Sequence, residues 1–348
     1  RMSLLLRTNR LVGARLFAAR ALSSKAETVK AFEADQKALV EAYEACGSNE
    51  EFLKLKAGTL APVAAKVGDM PSSMLWTFSR LLSSPAVGAK PAVVAVTGAG
   101  TAAGMEALYR IAAGEMLGGS QPVTLQVAGA DPAVIKDLTD CAFPLLSGVT
   151  SASSAPAALK GASFAIVLEG DYASLGSSVA ADALVGVAGC AEAAAVAAKA
   201  PAGASVTGIT RVLQASAEEQ IAAKVGCSPA AVSKVVVWGA DVVDVSSALV
   251  EGKWAVDVLG GWTPDTTEPA PDVAADALVS HMKDWYLGSD DWVSMAVPAE
   301  GSYGLGSGFF YSVPVTCPGG GPVKRVGGIP IAPALAEAME AQRVALAK

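Results

Sequence analysis

The sequence of 348 residues predicts an α/β fold, in which a doubly wound parallel sheet is followed by an α+β domain. Three observations predict it. From Pro91 onward, short apolar runs typical of buried strands alternate with helical stretches. Apolar residues make up 52% of the chain and charged residues 17%, which suits a large core and not a disordered protein. After Asp276, a helix precedes two runs that read as antiparallel strands.

The predicted elements follow one another regularly along the chain. The run PAVVAVT reads as the first strand and leads through a glycine turn into a helix. The later predictions are strands at 121–131, 162–171 and 234–241, a long alanine-rich helix at 182–200, a helix at 275–288, strands at 291–301 and 308–317, and a closing helix at 332–348.

The first 90 residues have a different character. Residues 1–24 are rich in Arg, Leu and Ser and contain no acid, which is typical of a mitochondrial targeting segment, with an ordinary surface helix as the alternative. Residues 25–90 read as a helical extension that packs on the body or on a partner. The remainder divides into a first domain at 91–207 and a second at 208–348.

Charge and residue usage exclude several classes of protein. Residues 1–25 hold six bases, and the rest of the chain has 20 bases against 33 acids, so a nucleic-acid partner is not expected. No run approaches the ~18 apolar residues of a membrane-spanning helix. The five cysteines are scattered without a CxxC pair, and there is one histidine. We therefore expect reduced thiols and no metal site.

The segment VAVTGAGTAAG places Gly98, Gly100 and Gly104 between a strand and a helix. Glycines there allow a tight turn and a close approach of the backbone to a pyrophosphate at the helix N-terminus. Taken alone, the spacing fits a purely structural turn equally well.

The surroundings of this turn resemble the malate dehydrogenase family, specifically its cytosolic and chloroplast-type branch. The resemblance implies a Rossmann-type domain, a malate-dehydrogenase-like C-terminal domain and NAD(P)-dependent interconversion of malate and oxaloacetate. It runs in order from about residue 91 to 345 and is carried by VTGAGTAAGMEALYRIAAGEMLGGSQPVTL, LTDCAFPLLSGV (138–149), ITRVLQASAEEQIAAKVG (209–226), KVVVWG (234–239) and residues 283–331.

The general base that the resemblance implies is missing. Oxidation of a hydroxyl by hydride transfer needs a base to take the proton, usually a histidine held by an aspartate. The family's histidine follows the Trp-Gly pair of its WGNH segment, and Asp241 stands at that position here. The family's LTRLDHNRA corresponds to residues 209–217, where Leu213 replaces the aspartate.

The arginines that clamp a dicarboxylate are missing as well, although a guanidinium grips a carboxylate bidentately. The substrate arginine of LTRLDHNRA corresponds to Ser216. The two arginines of the family's active-site loop correspond to Ser174 and Ala180. No arginine lies between Arg110 and Arg211, so the alignment of this loop hardly matters.

No other residue is a good replacement. His281 lies on a later predicted helix, and we interpret it as a core histidine. Asp241 with Asp244 could form a carboxylate pair, but on a loop a solvated or capping role is commoner. No asparagine follows Asn49, so the family's NPANTN segment is absent, and we interpret its strand as largely excised. The stretch from Asp241 to Asp276 is short, and the helix that walls the family's substrate site is not recognisable there.

The cofactor motif is altered less completely. Gly98 and Gly104 match glycines of the family, and Thr101 stands at the middle one. The acidic residue that holds the ribose corresponds to Gly129, and Asp131 is a candidate substitute two residues later. We expect no firmly held cofactor, while weak NAD(H) binding stays open.

These readings lead to two hypotheses. The first is a catalytically inactive pseudoenzyme that serves as an accessory subunit of a mitochondrial assembly on the matrix side, such as a respiratory-chain or ATP synthase complex of the inner membrane. Its partners would be the subunits of that complex or an active paralogue. The alternative is a divergent NAD(P)-dependent oxidoreductase or nucleotide sensor.

Overall fold

The computed structural model describes residues 89–347. The predicted targeting segment and all but the end of the predicted helical extension lie outside these residues.

The first half of the described chain alternates strands with helices. The apolar runs form strands because they are buried on both faces, as in β1 and β4. The elements are β1 (Ala92–Thr97), α1 (Ala102–Ala113), β2 (Val123–Ala128), α2 (Pro132–Asp140), β3 (Leu146–Ala152), α3 (Ala155–Leu159), β4 (Phe164–Val167), α4 (Tyr172–Leu175), β5 (Leu184–Ala188), α5 (Cys190–Ala197), β6 (Ser205–Ile209) and α6 (Arg211–Val225).

The second half has short strands and then two long antiparallel ones. Its elements are β7 (Val232–Ser233), β8 (Val236–Trp238), β9 (Val242–Asp244), β10 (Leu249–Val250), β11 (Lys253–Trp254), α7 (Ala255–Leu259), α8 (Pro271–Leu287), β12 (Ser289–Glu300), β13 (Ser307–Cys317), β14 (Lys324–Arg325) and α9 (Pro333–Leu346).

One nine-stranded sheet organises the described residues, in the order β14-β13-β12-β6-β5-β4-β1-β2-β3. Strands β1 to β6 are parallel, and the chain reverses direction across the sheet between β1 and β4. This is the doubly wound, Rossmann-type arrangement that the sequence predicts. Strands β12 to β14 continue the sheet in antiparallel pairing, which confirms the predicted strands at 291–301 and 308–317.

The predicted long helix at 182–200 is wrong in its first half. Leu184–Ala188 is the central strand β5, and the helix extends only over Cys190–Ala197. Val185 and Val187 are fully buried. A short apolar run of this kind cannot be told from a buried helix by periodicity.

The same strand corrects the interpretation that a strand had been excised. Strand β5 pairs with β4 and β6, so all six parallel strands are present. The connection between β4 and β5 instead covers only residues 168–183, with α4 and one 3₁₀ turn. A parallel crossover needs about a dozen residues, so the sheet tolerates this short connection.

Buried side chains stabilise the described elements, and two of the clusters they form lie in different parts of the fold. The larger lies around β4, β5 and α5, and the smaller packs the end of α6 against β7, β10 and α7. No helix within residues 89–347 is long and apolar enough to cross a membrane.

Candidate functional site

The glycine turn after β1 is shaped by close backbone contacts. Gly98 has a φ of +68°, in the left-handed region that favours glycine. The hydroxyl of Thr101 accepts a hydrogen bond from the Gly104 amide at 3.0 Å and caps α1. A Cβ on Gly104 would lie 2.7 Å from the Gly98 carbonyl oxygen, and one on Gly100 would lie 2.5 Å from that of Gly129. The packing of the turn itself therefore requires these glycines.

The backbone of the turn is suited to binding a dinucleotide, but the side chains around the turn are less suited to it. Glu169 is exposed, and its Cγ would lie 2.8 Å from a Cβ on Gly98, so a carboxylate stands beside the turn. Gly129 provides no acid at the end of β2. The carboxylate of Asp131 caps α2 by accepting a hydrogen bond from the Ala133 amide at 2.7 Å. The turn could approach a pyrophosphate, but the expected acidic partner of a ribose is absent.

The position of the family's base lies in the turn after β8. Asp241 is exposed, and its carboxylate accepts a hydrogen bond from the side-chain amide of Gln342 on α9. The Gln342 oxygen also accepts from the Ala240 amide at 3.3 Å. A Cβ on Gly239 would lie 2.8 Å from the Gln342 Cβ and 3.2 Å from the Tyr311 ring. The closing helix therefore packs directly on this turn, and sequence reasoning did not find Gln342.

Asp244 and Cys190 support the same turn from within. Asp244 is buried, and its carboxylate accepts hydrogen bonds from the Trp238 indole at 3.1 Å and the Ser246 amide at 2.8 Å. The Cys190 thiol donates to the Gly239 carbonyl at 3.3 Å. Burial raises the pKa of this thiol to about 12. Asp244 is therefore a buried residue of β9 whose carboxylate bonds to an indole and a backbone amide, and not the solvated loop residue that the sequence suggested.

Helix α6 carries the next two family positions, and it packs on β8, β9 and β12. Leu213 is half-buried. Ser216 is buried, and its hydroxyl donates to the Thr267 carbonyl at 3.2 Å. Gln214, which sequence reasoning missed, is also buried and accepts a hydrogen bond from the Ser294 amide at 2.7 Å. The Ser216 and Gln214 side chains therefore make contacts within the chain.

The short β4–β5 connection contains the remaining two positions. Ser174 lies in α4, and its hydroxyl donates to the Asp171 carbonyl at 2.9 Å. Ala180 is half-buried and packs against the core cluster around β4, β5 and α5. Neither places a cation near the sheet edge. Between α7 and α8, residues 260–270 contain no helix.

Every arginine within residues 89–347 pairs with a carboxylate of the chain itself. Arg211 lies 2.6 Å from Asp284, and Arg110 contacts three acids at the junction of α1 and α8. The complete set of pairs is Arg110 with Glu106, Glu115 and Asp276, Arg211 with Asp284, Arg325 with Glu300, and Arg343 with Glu340. The described residues therefore offer no unpaired guanidinium for a dicarboxylate.

His281 is fully buried on α8. Its Nε2 lies 2.9 Å from the Thr207 hydroxyl, and its Nδ1 has no hydrogen-bond partner in the described part of the chain. Burial, together with the smaller effect of the nearby Arg211 charge, lowers its pKa to about 3. The structure thus places this histidine in the core, as the sequence analysis interpreted it. No group of acids, cysteines and histidine among the described residues could hold a metal ion.

Known lactate and malate dehydrogenases resemble this chain both in the sequence of its C-terminal part and in its fold. Residues 272–348 match the alpha/beta C-terminal domain of lactate/malate dehydrogenase. A malate dehydrogenase from Naegleria fowleri superimposes with a TM-score of 0.63 at 29% identity, covering 74% of this chain and 96% of that one. The chain has the lactate/malate dehydrogenase fold.

Further solved structures agree on this fold. A lactate dehydrogenase from Trichomonas vaginalis in complex with NADH and oxamate gives a TM-score of 0.61 at 23% identity, covering 73% of this chain and 96% of that one. The matches are thus to lactate and malate dehydrogenases, one of them solved in complex with NADH.

Proposed function

We propose that this chain is a catalytically inactive member of the malate dehydrogenase family, from its cytosolic and chloroplast-type branch. One observation carries the proposal: the groups that would transfer the proton and hold the dicarboxylate are replaced by residues with other contacts. Asp241 is bound by Gln342, Ser216 by the backbone of Thr267, and the described arginines by acids.

The expected loss of rate follows from the chemistry. Without a poised general base, the rate falls by about 10²–10⁴. Each missing charge-assisted contact removes about 1.5–3 kcal/mol, so three missing arginines leave little affinity for a dicarboxylate. Both losses fall on the same reaction centre, and buried His281 is neutral and pairs with Thr207.

Equilibrium binding tests the lost clamp directly. Calorimetric titration of the purified full chain with malate, and separately with oxamate in the presence of NADH, should give no binding tighter than about 1 mM. The Ser216→Ala variant should give the same result, because the Ser216 hydroxyl bonds to the chain and not to substrate. A micromolar Kd that Ser216→Ala weakens would contradict the proposal.

We further propose that the fold serves as an accessory subunit of a mitochondrial assembly, on the matrix side of the inner membrane. The basic, acid-free residues 1–24 support this proposal. Native electrophoresis of gently solubilised mitochondrial membranes, with mass spectrometry of the bands, should find the chain in a large complex. Migration as a small monomer or dimer would contradict it.

Import gives a separate test of the targeting segment. Replacing Arg7, Arg10 and Arg20 by Glu should abolish uptake into isolated mitochondria. The matched control replaces Lys30 and Lys37, outside that segment, and should leave uptake unchanged. Equal uptake of all the variants would contradict the mitochondrial assignment.

The alternative, a nucleotide sensor or divergent NAD(P)-dependent oxidoreductase, rests on the backbone of the glycine turn. Gly98 keeps its left-handed conformation, and Thr101 caps a helix of 12 residues behind it. Titration with NADH and NADPH separates the two functions. A Kd below about 10 μM that tightens in Glu169→Gln, which lacks the carboxylate beside Gly98, would favour the sensor. If neither nucleotide binds to the original chain or to Glu169→Gln, the result would favour the pseudoenzyme.

A further inference from the structure

A cavity of about 410 Å³ opens between β6, β12 and β13. It lies beside Ser205–Thr207, the first residues of β6, so it is at the opposite edge of the parallel sheet from the glycine turn. Its walls are mainly apolar, and the larger lining side chains are Val206, Trp285, Val297, Pro298, Phe310 and Arg325. The volume falls within the range of about 300–1,000 Å³ that is usual for small-molecule sites.

The cavity follows from the way the two halves of the sheet join. Strand β12 pairs with β6 at a single position, Ala296 with Gly208. The next two residues of β12, Val297 and Pro298, pair with β13 but not with β6, and proline has no amide hydrogen to donate. No further pairing between β12 and β6 is formed beyond this point. The resulting cleft is lined by Val206 on one side and by Val297 and Pro298 on the other.

Arg325 is the one cationic residue among the described residues that line this cavity. The Arg325 side chain is 21% exposed, donates to the Pro298 carbonyl at 2.6 Å and pairs with Glu300. These two hydrogen bonds use two of the five N–H groups of a guanidinium. The Glu300 side chain is 60% exposed, and such surface ion pairs contribute little. Glu300 can therefore give way to a competing anion at small cost.

We propose that this cavity binds a small organic anion, a carboxylate or sulfonate with an aromatic or branched apolar body. The anionic group pairs with Arg325 in place of Glu300. The apolar body contacts Val206, Val297 and Phe310. This site is separate from the glycine turn and from the turn that carries Asp241, so it does not depend on the proposed function.

Fluorescence titration of the full chain with the aromatic sulfonate 8-anilinonaphthalene-1-sulfonate tests the proposal. Arg325→Gln should raise the Kd about tenfold or more, because a charge-assisted contact is lost. Glu300→Gln should lower it severalfold, because Arg325 is released. Arg343→Gln, which breaks an exposed ion pair on α9, is the matched control and should leave the Kd unchanged.

A pair of filling variants separates the cavity from other apolar surfaces that the dye could contact, such as exposed Trp254. Ala202 is exposed and lines the cavity, whereas Ala198, the residue directly after α5, is exposed and does not line it. Ala202→Phe should abolish the cavity component of the signal, and Ala198→Phe should preserve it. Equal titrations for all variants would overturn the site. Binding lost in Ala202→Phe but unchanged in Arg325→Gln and Glu300→Gln would overturn the anionic ligand.

Discussion

The turns after β1 and after β8 differ in what holds their residues in place. Backbone contacts require the glycines of the first turn, whereas the key side chain of the second is exposed. At the first, Gly100 and Gly104 face carbonyl oxygens so closely that the fold needs them with or without a nucleotide. At the second, side chains of Gln342 and Tyr311 confine Gly239, whereas Asp241, two residues later, is exposed and contacts one amide side chain. Groups that touch only a ligand can change without cost to the fold, whereas glycines set by backbone packing cannot. A glycine motif therefore indicates the fold more securely than the reaction.

The largest effect should come from the glycine turn. Gly100→Val would place a Cβ against the Gly129 carbonyl, and we expect the free energy of unfolding to fall by about 2–4 kcal/mol. Urea unfolding measures it. Gly148→Ala is the control, since nothing lies within 4 Å of its Cβ position, and it should change stability by about 0.5 kcal/mol or less. Equal losses would show that the turn is not held by packing.

Buried His281 should make the protein less stable in mild acid. Its pKa is about 3 in the folded chain and about 6.5 when unfolded, so between these values the unfolded chain binds a proton that the folded chain does not. Stability should therefore fall as the pH drops below about 6.5, by about 2 kcal/mol at pH 5. Chemical denaturation across pH 5–8 should show that His281→Gln lacks this acid-dependent loss of stability. A histidine poised for catalysis would instead titrate near neutrality.

Glu218 should act in the opposite direction. Burial raises its pKa to about 7, although Gln214 donates to it at 2.9 Å and Arg211 is near. The folded chain then holds a proton that the unfolded chain has lost, so stability should fall as the pH rises from about 4.5 through 7. Glu218 keeps some contact with water, and we expect Glu218→Gln to gain about 1–2 kcal/mol relative to the original chain between pH 5 and pH 8. Parallel pH profiles for the two proteins would contradict this assignment.

The smallest effects should come from the turn that carries Asp241. Gln342→Ala removes hydrogen bonds to Ala240 and Asp241 and should cost about 1 kcal/mol. Asp241→Ala changes an exposed side chain and should cost about 0.5 kcal/mol or less. Thermal unfolding of the two variants compares them. A larger loss in Asp241→Ala would mean that the fold itself needs the carboxylate.

The sequence predicted the fold class because the long apolar runs of β1, β2, β12 and β13 are unambiguous. It did not identify β3, whose residues LSGVTSA are polar and only partly buried. It took β5 for helix because alanine surrounds a run of only five residues. Both strands exist through pairing with neighbours far along the chain, which local propensity does not report.

The sequence predicted which residues occupy the family's site positions, but it did not predict which residues contact them. The resemblance assigned Asp241, Leu213 and Ser216 to family positions. It could not show that Gln342 reaches Asp241 across 101 residues, or that Arg110 pairs with Asp276 across 166. Such contacts depend on the positions of α8 and α9, and these positions depend on packing throughout the core.

Steady-state turnover tests the central claim most directly. Purified full chain is supplied with oxaloacetate and NADH, and separately NADPH, and nucleotide oxidation is followed by absorbance across pH 6–9. We expect the rate of a protein-free control at every pH. Turnover of about 1–10³ s⁻¹, the usual range for enzymes, that disappears in Asp241→Asn would contradict the account and make Asp241 a working base.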